Sequence, residues 1–204
     1  MAWSLACSSS QAGLPPVPGV RSVVDTTYYD AEGSDRRQWM SSMRANARRA
    51  GVSPPYVAYT RTQARWSYTS SRSSTGGCQT SLPAVEVNIR YIVPRLVADT
   101  VDEEDMLEWR RYLVSLWRHE EGHGIRALRE ASEMRDSLSS VRTTSCAALN
   151  ASVNRALDAV SRKYRRLQNE YDTRTGHGAR QGAILLMPGA VRLAIDTTYR
   201  DTIP

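Results

Sequence analysis

The chain has 204 residues, 41% hydrophobic and 24% charged, a balance that excludes a long disordered chain, a collagen-like repeat and a disulfide-dense mini-protein. At roughly 100 to 200 residues per domain, the expectation is a leader and linker over residues 1–19 and one domain over 20–204, large enough to bury a core without a metal staple. No apolar run approaches the roughly 20 residues of a membrane span.

The formal net charge is +6, which raises nucleic acid as a partner. The charge is spread, however, and Lys163 is the one lysine among the 27 basic residues. Arg36-Arg37, Arg48-Arg49, Arg110-Arg111 and Arg165-Arg166 fall mostly in predicted helices among acidic residues, as a solvated face would. With no nucleic-acid module beside them, no nucleic-acid partner is expected.

The start places Leu5-Ala6-Cys7 before a run of serines, the outline of a lipoprotein cleavage box with Cys7 as a lipid anchor. It lacks the basic n-region and the apolar stretch of roughly 7 to 15 residues of an export signal. Residues 8–19, rich in Ser, Pro and Gly, read as a linker. A strand follows from Val20 to the turn at Asp30–Gly33, then a helix capped by Ser34 and ending near Ala50, before Gly51 and two prolines.

Tyr56–Arg61 and Ala64–Thr69 read as two β segments. In Val85–Val93 the residues Val85, Val87, Ile89, Tyr91 and Val93 alternate with Glu86, Asn88 and Arg90, and Pro94 is expected to close the strand. Thr100 and Glu103 form a capping box for a long helix with Met106, Leu113, Leu116, Trp117, Ala127, Leu128, Ala131 and Leu138 on its apolar stripe. A second long helix, about Thr144 to Tyr171, turns Leu149, Val153, Leu157, Val160, Tyr164 and Leu167 inward. The C-terminal GAVRLAIDTTYRDTIP reads as a strand. Cys78 and Cys146 lie within the domain, suggesting one disulfide and an oxidising compartment, with two buried thiols as the alternative.

His119-Glu120-Glu121-Gly122-His123 is an HExxH motif on the long helix. At 3.6 residues per turn both imidazoles project from one face, so His119 and His123 can bind one Zn²⁺. Glu120 then stands beside the metal as a general base, the chemistry of a metallopeptidase. Arg126 and Arg129 stand where a metzincin would have Gly and His, which excludes that class. Glu130, about 10.5 Å along the axis from His123, is too far to ligate the same ion. The candidates for the third ligand are His177, Asp172 and Glu170. His177 ranks first, because Gly176 and Gly178 allow a tight backbone excursion, and Asp172 second, as ligand or ligand support. Tyr171 could donate to the developing oxyanion.

YYDAEG at 28–33, ARWSY at 64–68, Cys78, VPRL at 93–96, HEEGHG at 119–124, Cys146 and YDTRTGHGARQGA at 171–183 together resemble a bacterial family of predicted secreted zinc-dependent proteases, catalogued as a domain of unknown function. The resemblance spans about residues 22–188. It implies a zincin-like peptidase, an extracytoplasmic location and a Cys78–Cys146 bridge. The expectation is thus an α+β domain, with a small antiparallel sheet packed against two long helices, hydrolysing peptide or protein substrates with zinc. The rival reading is a non-catalytic, zinc-stabilised binding module of the cell envelope, against which the retained base Glu120 argues.

Overall fold

The computed structural model describes residues 14–72, 74 and 76–189. Cys7 and the expected C-terminal strand beyond Gly189 lie outside them. Strand β1 (Val20–Glu32) leads into helix α1 (Arg36–Arg49), followed by β2 (Tyr59–Arg72), β3 (Cys78–Val97), α2 (Glu103–Ser140), the short β4 (Arg142–Thr143) and α3 (Leu149–Thr175). The architecture is α+β. Leu14 and Val17, in the stretch expected to be linker, pack on the core because they are apolar side chains with that surface within reach.

The sheet has the order β1-β3-β2, with β4 added at the start of β3. It is mixed rather than antiparallel: β1 pairs with β3 in parallel, from Val20↔Val85 to Glu32↔Val97, while β2 pairs antiparallel, from Tyr59↔Ile92 to Arg72↔Cys78. The reason is the crossover. Helix α1 and residues 50–58 carry the chain across the same end of the sheet, so β2 runs opposite to β1. The turn after β2 then returns β3 between them, parallel to β1. Thr62 and Gln63 do not split β2, because they pair with Ile89 and Asn88.

In β3, Val85, Val87, Ile89 and Tyr91 are buried, as the alternation predicts, but Tyr91 to Pro94 are buried without interruption. Pro94 does not close the strand. It lies beyond Tyr59↔Ile92, where β2 has already ended, so its missing N–H breaks no ladder on that side.

The 38 residues of α2 form the spine, about 57 Å long at 1.5 Å per residue. Asp102 is its cap, accepting from the Asp105 amide at 2.8 Å; the Thr100–Glu103 box is displaced by a carboxylate closer to the first turn. Likewise Asp35 rather than Ser34 caps α1, accepting from two amides. Trp109, Tyr112, Leu116, Leu128 and Leu138 are buried along α2, while Met106, Leu113 and Trp117 are half-buried. Trp39 of α1 packs edge-on against Trp109.

Helix α3 begins later than expected, after a single 3₁₀ turn at Cys146–Ala148. Leu149, Val153, Leu157, Val160 and Tyr164 are buried on its inner face. A Cys78–Cys146 disulfide ties the start of β3 to the turn that opens α3. Among the described residues no helix is long and apolar enough to cross a membrane.

Candidate metal centre

His119 and His123, one turn apart on α2, meet the last turns of α3. Asp172 Oδ1 lies 3.3 Å from His119 Nε2 and 3.0 Å from His123 Nε2, and the two Nε2 atoms are 3.3 Å apart. These three residues are the one metal-ligand cluster among the described residues. His177, ranked first from the sequence, stands outside it: Nδ1 is 3.8 Å from Asp172 Oδ1 and half of the side chain is exposed. Its ring leans on Tyr56 with centroids 4.9 Å apart. Glu170 is exposed.

The end of α3 explains this order. The His177 amide donates to Asp172 O at 2.9 Å and the Gly176 amide to Thr173 O at 3.3 Å, a Schellman closure. Three consecutive positive φ angles, 58° at Gly176, 51° at His177 and 84° at Gly178, reverse the chain. They set the His177 imidazole at the mouth, while Asp172 remains in the last helical turn on the face turned toward α2.

A second layer of side chains aims both imidazoles. Gln168 Oε1 lies 2.6 Å from His123 Nδ1, and Gln181 Oε1 lies 3.0 Å from His119 Nδ1. The amide orientations follow from backbone acceptors. Gln168 Nε2 donates to His123 O at 3.2 Å, so its oxygen must face the ring. Tyr171 Oη donates to His119 O at 3.2 Å and accepts from Gln181 Nε2 at 3.1 Å, which fixes Gln181 in the same sense. Each ring therefore donates from Nδ1, and a neutral ring in this tautomer turns its Nε2 lone pair toward Asp172, the arrangement found around metal-binding histidines. Gln181 is itself secured, since Arg111 donates to the carbonyls of Gly182 and Ile184 and Glu108 accepts from the Leu186 amide at 2.7 Å.

Two lone pairs and a carboxylate oxygen within 3.3 Å repel one another unless a cation lies among them. Burial works to raise the Asp172 carboxyl, but hydrogen bonds and charge from His119 and His123 overcome it and hold it well below the usual carboxylate range. Burial likewise disfavours the His123 cation, and the Asp172 carboxylate outweighs it and raises that imidazole. Zinc meets the same demand. With Zn–N and Zn–O near 2.0 to 2.1 Å, the edge of a tetrahedron is about 3.3 Å, matching the three observed separations, and two imidazoles with one carboxylate are a hydrolytic zinc donor set.

The glycines of HEEGHG are spaces for two tyrosines. A Cβ at Gly122 would lie 2.5 Å from Tyr171 Cζ, and one at Gly124 would overlap the Tyr91 hydroxyl. The same logic applies at Gly178, where a Cβ would stand 3.0 Å from His119 Cγ. Tyr171 is fully buried, stacks on His119 with centroids 5.1 Å apart and receives the Arg126 guanidinium over its ring at 3.6 Å. Its hydroxyl is committed to His119 and Gln181, so it supports the site instead of facing an oxyanion.

Glu120 is turned toward β2. Thr60 Oγ1 donates to Glu120 Oε2 at 2.6 Å, and both residues are buried. Burial pushes the Glu120 carboxyl up, opposed by the Thr60 hydrogen bond and the nearby histidines. Thr60, Gln168 and Gln181 escaped the sequence reading. Gln168, Tyr171, Asp172 and Thr175 do share the i, i+3, i+4, i+7 spacing of one helix face, a stripe that ties Gln168 and Thr175 to the Tyr171 and Asp172 singled out above. Thr60 has no such signal.

Over residues 26–178 the chain matches a family described as bacterial protein of unknown function (DUF922), and it belongs to that family. No curated protein matches it, and no solved structure does.

Proposed function

We propose that this DUF922 member is a zinc-dependent, zincin-like peptidase in which His119, His123 and Asp172 hold the metal and Glu120 is the general base. The observation that carries the reading is the convergence of both Nε2 atoms of α2, the helix that bears Glu120, and Asp172 Oδ1 of α3, within 3.3 Å of one another. When bound, zinc would supply the Lewis acidity that activates water and polarises a peptide carbonyl.

The protein's own groups divide the remaining work. Thr60 anchors Glu120 Oε2, which leaves Oε1 to take the proton of the attacking water and deliver it to the leaving amine as the C–N bond breaks. Burial suits this role, because a raised carboxyl holds the proton long enough to return it. Strand β2 has β3 on one side and, among the described residues, no strand on the other. Its free edge beside Glu120 can take an extended peptide as an added strand.

The Cys78–Cys146 disulfide supports an extracytoplasmic location, since such bonds persist in oxidising compartments, with Cys7 as the lipid-bearing residue if the protein is anchored. The test is digestion of an unbiased peptide library by zinc-loaded protein, with Glu120→Gln as control. Cleavage that Glu120→Gln abolishes while zinc stays bound is expected. Zinc binding without cleavage in the native protein, or full activity in Glu120→Gln, overturns the reading.

A further inference from the structure

Further along β2 and α2 than Thr60 and Glu120 lies a cavity of about 150 Å³, a space that holds a benzene-sized group. Thr62 and Trp66 of β2 form one wall, Ala127 and Met134 of α2 the other, and Glu130 and Ser161 lie within it. Val87 and Ala64 complete the lining. A side chain entering it would meet a carboxylate.

We propose that this cavity is a specificity pocket that receives a lysine or arginine side chain of the substrate, with Glu130 as its counter-ion. The inference rests on the peptidase reading, because the pocket lies on the line an extended peptide would follow along β2. Thr62 is two residues past Thr60, about 7 Å along the strand. Ala127 and Glu130 are four and seven residues past His123, about 6 and 10.5 Å along α2. At roughly 3.3 Å per extended residue, the pocket takes a side chain two to three residues from the scissile bond.

Charge complementarity decides the occupant. Glu130 is removed from most of its water, and burial raises its carboxyl against the Ser161 hydroxyl and the Arg165 charge. A cationic tip entering the pocket restores the lost solvation and adds a charge-assisted hydrogen bond. A neutral side chain leaves the carboxylate to Ser161 and Arg165 alone, and an acidic one adds repulsion. The exposed Trp66 face can lie along the stem or under the cation.

The test uses a positional peptide library with the zinc-loaded chain, and in parallel the binding of one extended peptide, carrying Lys or norleucine at the scanned position, to Glu120→Gln protein. Lys or Arg should be enriched at one position two to three residues from the cut. Glu130→Gln should reduce the preference over norleucine about 10- to 100-fold, the range of one charge-assisted hydrogen bond. Thr62→Lys, on an exposed strand position, should turn the preference toward acidic side chains and guards against misfolding of the Glu130 variant. Cleavage with no basic preference, or a preference indifferent to both variants, overturns the pocket while leaving the peptidase reading intact. If no peptide is cleaved, Lys-over-norleucine binding that depends on Glu130 still supports the pocket, and its absence refutes it.

Discussion

Gly122→Ala would raise helix stability by about 0.8 to 1 kcal/mol in an ordinary helix interior. Here the new methyl would lie 2.5 Å from Tyr171 Cζ and 2.9 Å from Cε1, with the hydroxyl closer still, where carbon contacts need about 3.5 to 4 Å. Tyr171 would have to move about 1 Å, yet it is 0% exposed and pressed against the His119 ring and the Arg126 guanidinium. Overpacking of this kind costs about 1 to 3 kcal/mol, and the two hydrogen bonds of the Tyr171 hydroxyl add about 1 kcal/mol each when lost. Against the gain in propensity, the net effect is a destabilisation of about 2 to 4 kcal/mol. Asp172 is the next residue and Gln181 loses its orienting partner, so zinc affinity should fall about 10- to 100-fold as well. Urea unfolding of the metal-free protein and a competitive zinc titration read the two effects separately. Gly124→Ala, whose methyl meets Tyr91 instead, should destabilise without weakening zinc. A Gly122→Ala protein as stable as the parent, with unchanged zinc affinity, would refute the packing argument.

Two further outcomes follow from the groups around the site. Thr60→Val removes the hydrogen bond that opposes the effect of burial on Glu120. The base then ionises at higher pH, so the acid limb of kcat/KM should move upward, with a loss of about 10- to 100-fold at neutral pH; an acid limb that stays in place would mean that Thr60 does not act on the base. Burial works to raise Glu108, but Arg111, the Leu186 amide and Arg36 hold it below its ordinary value of 4.5. A depressed carboxyl contributes stability that is present above pH 4.5 and lost as pH falls through the lower folded-state value. Hydrogen exchange at the Leu186 amide should therefore accelerate in that acid window, and Glu108→Gln should show the same loss at neutral pH; protection that persists in both cases would contradict the clamp.

Much of this molecule is legible in its sequence because burial there is one-sided. The alternation from Val85 to Tyr91 and the apolar stripe of α3 translate directly into buried faces. Strand direction is not encoded that way, since Val85↔Val20 and Val85↔Trp66 place side chains on the same faces whether pairing is parallel or antiparallel; only the crossover through α1 decides it. The HExxH histidines and Glu120 are set by helix spacing. The third partner depends on how α3 docks on α2, and that register is set by Tyr171 filling the space at Gly122, a tertiary contact across 49 residues of chain. The glycine-flanked His177 looked suited to turn inward, but those glycines close the helix, and the closure leaves Asp172 facing the histidines. Thr60 lies in a strand whose residue pattern gives no hint of the helix it will meet.

The zinc content of purified native, Asp172→Asn and His177→Ala protein tests the proposed metal centre most directly. The geometry predicts one zinc per chain in the native protein and in His177→Ala, and far less than one in Asp172→Asn, because among the described residues it is Asp172 that lies with both imidazole Nε2 atoms within 3.3 Å. No zinc in the native protein, or full occupancy in Asp172→Asn with loss in His177→Ala, would contradict it.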